Sequence, residues 1–198
     1  MTQRQRRVRD RSERGQRIVS AARELAEAEG WDAVTTRRLA ALIEYSQPVL
    51  YSHFPGGKDA IMAAAALEGF AELAEVLASA REGGVAGVAG AYVAFAEAKP
   101  ALYDAMFTLA SDLPFAQDDT PPVLQEAFAG LYAVVEPVAG GQAPGTLTEV
   151  FWGALHGLIT LDRGHRLSPE NHADRLAVVV ARFGALPASP PTPPTPTP

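Results

Sequence analysis

Apolar residues recur along this chain at spacings of three and four. No useful stretch alternates with period two, so the pattern predicts helices and no sheet. Ile18, Ala21, Ala22, Leu25 and Ala28 mark a first helix from about Ser12 to Glu29, with Gly30 as its C′ residue and Trp31 and Val34 in a short link. Thr35 stands as the N-cap of a second helix over about 36–43, with Val34 and Leu39 at the two positions of a hydrophobic staple. Glu44-Tyr45-Ser46 forms a three-residue turn. Ser46 is placed to cap a third short helix that carries Pro48 in its first turn and ends near His53, before Pro55-Gly56-Gly57. A two-turn helix is not stable alone, so these pieces must pack on the first helix through Leu39, Ala40, Leu42 and Ile43, with Val49, Leu50 and Phe54 closing the core.

A longer amphipathic helix is predicted over about 58–81, and further helices at about 85–98, 100–111, 121–138, 146–163 and 169–185. Pro100, Pro114, Pro121-Pro122, Gly140-Gly141, Pro144 and Gly164 mark their boundaries. Within 146–163, Leu147, Val150, Phe151, Ala154, Leu155, Leu158 and Leu161 form one apolar stripe, while Trp152, His156 and Ile159 lie on another face. A helix apolar on two faces must be covered on both. The 169–185 helix is broadly apolar through Leu176, Val178, Val179, Val180 and Phe183. Two such helices can build a four-helix bundle with a second copy of the chain, although a monomeric core would also cover them. The expected fold class is therefore all-α, with an N-terminal three-helix unit and a C-terminal helical bundle.

Charge sharpens the division. Of the 198 residues, the first 58 carry 11 Lys/Arg and 7 Asp/Glu, and the remainder 6 and 16, so a basic head precedes an acidic body in a chain of net charge −6. Arg4, Arg6, Arg7, Arg9, Arg11, Arg14 and Arg17 crowd the start. The expected divisions are a basic flexible arm (1–10), a basic head (11–58), an acidic helical body (59–186) and a disordered tail (187–198) with seven Pro. The chain has no Cys, which suits a reducing cytoplasm. The basic N-terminus lacks the apolar run of a signal peptide, and no stretch is long enough to span a membrane, so no membrane partner is expected.

Three short helices, the last two joined by a tight turn, describe a helix-turn-helix, which places its second helix in the DNA major groove. Thr35, Arg37 and Arg38 suit phosphate contact, with Arg37 and Arg38 alternatively plain solvated charges. Ser46, Gln47, Pro48 and Ser52 suit base edges: Gln47 can pair with adenine and Pro48 can touch a thymine methyl. The arginine arm suits an adjacent minor groove, or is simply disordered.

Residues 35–61, TTRRLAALIEYSQPVLYSHFPGGKDAI, resemble the signature of the tetracycline-repressor (TetR) family. The matching features are Thr35, Leu39-Ala40, Ser46, Tyr51-x-His53-Phe54 and Lys58, preceded by the Gly30-Trp31 corner. The resemblance covers about residues 14–62 and implies that Tyr51, His53 and Lys58 clamp the DNA backbone. The residues alone also allow Tyr51 as a half-buried core aromatic and His53 as a structural histidine. Two departures stand out: Glu44 where the family usually has Gly, and an extra Gly before Lys58. A Glu held at positive φ costs about 1–2 kcal/mol.

FWGALHGLITL (151–161) resembles the Trp…His-Gly segment of one TetR C-terminal subtype. The resemblance implies dimerisation through the last two long helices and a ligand cavity among the middle ones. Candidate lining residues are Tyr92, Phe95, Tyr103, Met106, Phe107, Phe128, Trp152 and His156, which would suit a largely apolar ligand, with His156 as its polar handle. Each is alternatively plain core.

The expected function is a ligand-responsive repressor, acting as a homodimer on a palindromic double-stranded operator and released by a small-molecule effector. Whether binding represses or activates depends on where the operator sits relative to the promoter. No cofactor or metal is expected. A non-specific architectural DNA binder would explain the arginines but not the acidic, apolar body. An enzyme would need a site such as Asp162, His165, Glu170 and His172, whose spacing matches no metal pattern, and the chain has no phosphate loop or nucleophile elbow.

Overall fold

The computed structural model describes residues 2–109, 113–115 and 117–184, and the proline-rich segment at 187–198 lies outside them. Among the described residues every regular element is helical. The α-helices are α1 (Gln3–Glu29), α2 (Thr36–Leu42), α3 (Gln47–His53), α4 (Gly57–Ala80), α5 (Gly84–Ala98), α6 (Pro100–Asp104), α7 (Pro122–Val135), α8 (Pro144–Arg163) and α9 (His172–Gly184). Where the sequence predicts one helix over 100–111, α6 gives way to a π-helical turn at Ala105–Leu109.

The first helix begins nine residues earlier than the apolar pattern implies. Thr2 and Gln5 form a capping box, the Thr2 amide donating to Gln5 Oε1 at 2.8 Å and the Gln5 amide to Thr2 Oγ1 at 3.4 Å. Glutamine and arginine are good helix formers, so the residues expected as a flexible arm continue the helix instead.

The chain forms two compact units. The first holds residues through Leu73 with Ala96–Gln125, and the second Ala74–Phe95 with the residues from Glu126 onward. A later segment, Ala96–Gln125, thus packs with the N-terminal residues. Long-range hydrogen bonds join them. Pro100 opens α6, and Lys99 provides no side-chain cap. The orphan amides of Ala101 and Leu102 are met instead by the Glu27 carboxylate, at 3.1 and 2.9 Å. Beside them the buried Trp31 indole donates to the Ala101 carbonyl at 2.7 Å. Arg23 joins Glu68 at 3.0 Å and Glu72 at 2.6 Å, and Lys99 also reaches Glu72. Burial alone would push the Glu72 carboxyl up; the bonds from Lys99 and Arg23 outweigh it and hold the carboxyl below the usual range. Gly69 lets Met106 approach α4, since a Cβ there would sit 2.7 Å from Met106 Sδ.

In the second unit α8 buries Leu147, Thr148, Phe151, Leu155 and Ile159. Phe151 meets Phe183 of α9 with ring centroids 5.0 Å apart. Gly130 lets α7 pack closely on α4, because a Cβ there would meet Leu77 Cβ at 2.9 Å. The expected single stripe on α8 is split: Val150 and Leu161 stay exposed. No residue of α9 is fully buried.

The turn between α2 and α3 is a Schellman cap. The Tyr45 amide donates to the Ala40 carbonyl at 2.9 Å, which requires Glu44 to be left-handed, and its φ is +57°. Glu44→Gly removes a Cβ clash worth about 1–2 kcal/mol and restores about 0.5–1 kcal/mol of unfolded-state entropy, a net gain of roughly 1 kcal/mol. Thermal or denaturant unfolding of the two chains measures it, and a lowered midpoint for Glu44→Gly would contradict the strain account.

Candidate nucleic-acid interface

Helices α2 and α3 have seven residues each and depend on their surroundings. Leu39, Ala40 and Leu50 are buried against the α1 core residues Ile18 to Ala26, and Val34 is buried before α2. Ile43, Val49 and Phe54 are half-buried. Leu42, expected in the core, is exposed. Thr35 caps α2 as expected, accepting from the Arg38 amide at 3.1 Å. Ser46 does not use its side chain as a cap; its carbonyl accepts from Val49 and Leu50.

This packing leaves one side of α3 outward. Ser46, Gln47, Pro48, Tyr51 and Ser52 are all exposed. The Ser52 hydroxyl donates to the Val49 carbonyl at 2.7 Å, so toward a ligand it offers its lone pairs. Tyr51 lies over the start of α4: its hydroxyl is 3.5 Å from Thr36 Oγ1, and a Cβ on Gly57 would lie 3.4 Å from its ring. Gly57 has φ +62°, so the glycine that departs from the family pattern is the residue that lets the chain turn under Tyr51 into α4. Tyr51 therefore packs along its ring and keeps its polar end at the surface. Lys58 follows in the first turn of α4, where helix-end amides also favour an anion.

The cations are not equivalent. Arg37 is exposed. Arg38 makes a two-point ion pair with Glu29, one arm of it 2.8 Å long. That hydrogen bond is the main reason the Glu29 carboxyl lies below its ordinary range. Glu29 is thus a built-in competitor for any phosphate approaching Arg38. Neither Glu29 nor Arg11 stands out in the sequence as part of this surface, because both pairings join α1 to later elements. Arg11 reaches from α1 to the Ser52 carbonyl, 2.6 Å away. Arg17 lies 5.6 Å from the Tyr45 ring centroid in a cation–π contact. His53 is half-buried, and its imidazole is pushed below the ordinary range by burial and by the charges of Arg11 and Arg14.

The candidate ligand residues fall into two sets. Tyr103, Met106 and Phe107 belong to the first unit, where Phe107 meets Tyr103 at 4.7 Å and Phe70 at 5.2 Å between ring centroids. Tyr92, Phe95, Phe128, Trp152 and His156 belong to the second, where the Trp152 indole donates to the Tyr92 hydroxyl at 2.9 Å. Tyr92, Phe95, Tyr103 and Met106 are buried, whereas Phe107, Phe128, Trp152 and His156 retain solvent access. Burial holds the His156 imidazole below its ordinary range, and Thr160 Oγ1 lies 3.4 Å from its Nε2. A groove of about 470 Å³ on the second unit is lined by Val85, Val134, Pro137, Val138 and Val180, among others, and by none of these candidates.

Asp162 pairs with Arg175 at 2.7 Å and lies 3.5 Å from His172. Among the described residues no group of three His, Cys, Asp or Glu is placed to hold a metal, and no helix is long and apolar enough to cross a membrane.

Residues 18–65 match the family of bacterial regulatory proteins of tetR type, and residues 85–183 match the tetracyclin repressor-like C-terminal domain. An uncharacterized HTH-type transcriptional regulator of Mycobacterium tuberculosis is 31% identical over 156 residues, covering 73% of this chain and 68% of that one. A protein of unknown function from Rhodococcus sp. RHA1 shares the fold with a TM-score of 0.70 at 24% identity, over 85% of this chain and 92% of its own. A tetR family transcription regulator from Shewanella sp. PV-4, itself assigned only provisionally, gives 0.58 at 20% identity, over 85% and 95%.

Two measurements probe the surface. Glu29→Gln frees Arg38 and removes a negative charge, so duplex affinity should rise about threefold at moderate salt, as suits an exposed pair; unchanged or weaker binding in a fluorescence anisotropy titration would refute the competition. His53 in the fold binds its proton less readily than in the unfolded chain. Its contribution to stability is therefore complete above about pH 6.5 and is lost as the pH falls through the lowered folded value. Unfolding midpoints taken from pH 7.5 to 5 should decline less in His53→Gln than in the parent.

Proposed function

The chain belongs to the tetR family of bacterial regulatory proteins, and from that premise we propose how its own residues divide the work. The family consists of transcription regulators, not enzymes, that bind operator DNA, dimerise and respond to small-molecule effectors. For this chain, α3 enters the major groove. Ser46, Gln47, Pro48 and Ser52 read base edges, while Thr35, Arg37, Arg38, Tyr51, His53 and Lys58 hold phosphates. The observation that carries this reading is the outward side of α3, exposed and polar from Ser46 to Ser52, bordered by cations from α1, α2 and α4.

The dimer forms through α8 and α9. Exposed Val150 and Leu161 support this, as does a terminal helix that carries Leu176, Val178, Val179, Val180 and Phe183 without fully burying any. Two heads then meet a palindrome whose half-sites lie about one helical turn, or a multiple of it, apart. The effector is largely apolar, and its candidate contacts form two sets, each within its own unit, with His156 the polar handle of one set and Met106 in the other. Tyr103, Met106 and Phe107 lie just beyond the α6 end held by Glu27 and Trp31, within the same unit as the reading head. A ligand that favours another setting of those side chains therefore shifts the head and lowers operator affinity. Repression in the cytoplasm is the expected setting.

Selection of random duplexes by the purified chain at constant salt tests the reading, with recovery of a palindrome as the expected outcome. Binding that shows no motif and fades only with salt would favour an architectural role. Val150→Asp puts an unpaired charge in the proposed dimer interface at a cost of about 3 kcal/mol, so the dimer dissociation constant should rise at least about a hundredfold. Sedimentation equilibrium reads this directly, and an unchanged dimer would place the interface elsewhere.

A further inference from the structure

The first fifteen residues of α1 bury no side chain fully. Its buried positions begin at Ile18, and every arginine before it is exposed. At helical spacing Arg4, Arg7, Arg11 and Arg14 share one face, three, four and three residues apart. Asp10, three residues from Arg7 and four from Arg14, borders that row, and Glu13 is engaged with Arg9 at 3.3 Å on another face. Like charges in such a row repel one another, and no apolar burial offsets this. The row has a definite anchor. Arg11 donates to the Ser52 carbonyl of α3, and the α1 backbone passes His53 so closely that a Cβ on Gly15 would lie 3.8 Å from the imidazole Nδ1. The row thus starts beside the C-terminal end of the reading helix and runs along the unbroken N-terminal half of α1.

We propose that the N-terminal half of α1 is a rigid helical rail that lies along the DNA backbone, with Arg4, Arg7 and Arg14 on successive phosphates of one strand and Arg11 fixing the rail to α3. The proposal rests on the DNA-reading role of α3. From Arg4 to Arg14 the rail spans about 15 Å, and phosphates that rise about 3.4 Å each along the axis lie about 7 Å apart along the backbone, so it matches roughly three phosphates of one strand, one each for Arg4, Arg7 and Arg14. A helix some 10 Å wide cannot follow a minor groove only about 6 Å wide, so the arm meets phosphates and reads no sequence. It should widen the footprint and steepen the salt dependence of binding without altering the preferred motif.

The test uses the full chain and a fixed 40-base-pair duplex of arbitrary sequence, in two versions whose ends are A·T-rich or G·C-rich. Affinity is measured against salt for the parent, Arg4→Ser/Arg7→Ser and the opposite-face control Arg6→Ser/Arg9→Ser. The row variant should lower the slope of log affinity on log salt by about 1.8 for each bound head and about 3.6 for a dimer with both heads on the duplex, about 0.9 per lost phosphate contact, on both duplexes, and the control should change it little. All four positions are exposed and lie outside the core, so folding is not at risk. Equal losses from both variants would reduce the rail to a diffuse charge field. A loss confined to A·T-rich ends would mean minor-groove entry, and no loss would leave the helix idle; each of these overturns the proposal. If the parent itself bound neither these duplexes nor a selected pool, the DNA-reading role would fall first and the rail with it.

Discussion

The structure depends on the bracing of two helices too short to exist alone. Helix α3, seven residues long, carries the side chains proposed for base recognition, and seven residues of helix have no persistence in water. Its shape is borrowed from α1, from the cap and buried Leu39 of α2, and from the turn under Tyr51 that leads into α4. One buried leucine, Leu50, is the only α3 side chain fully withdrawn from water. The rest of its surface stays available because the bracing comes from one side.

The same logic explains α6. It is a five-residue helix whose first amides would be orphaned, and Glu27 and Trp31 from the end of the head supply the missing partners. A helix far along the chain is thereby built into the unit that contains α3. The π-helical turn that follows carries Met106 and Phe107, so a change of packing there acts on the same body that sets the reading helix. The proposed switching needs no remote relay, only two arrangements of one compact unit.

Charge plays two roles in the head. Glu72 is satisfied from both sides by Arg23 and Lys99 and serves structure. Glu29 and Arg38 pair at the surface, where solvent and salt leave the bond weak, so a phosphate can displace the carboxylate. Glu44 carries strain where glycine would not, a local conflict of the kind tolerated near sites of function.

Local signals in the sequence determined most of the architecture. Helical periodicity, Thr35 as a cap, the prolines at helix starts and the glycines at their ends placed the elements nearly where they stand, because each acts within a few residues of itself. The basic head and the short helix α3 were legible for the same reason, and so was the possibility that Glu44 is left-handed. Only tertiary structure decided the rest. The pairing of Arg38 with Glu29, the anchor of Arg11 on Ser52, the clamp of Glu27 and Trp31 on α6, and the exposure of Leu42, Val150 and Leu161 all depend on which surfaces meet. Amphipathic patterning states that a face must be covered; it does not state by what. The helical course of residues 3–10 falls between the two: good helix formers and a capping box were present in the sequence, but the lack of an apolar stripe hid them.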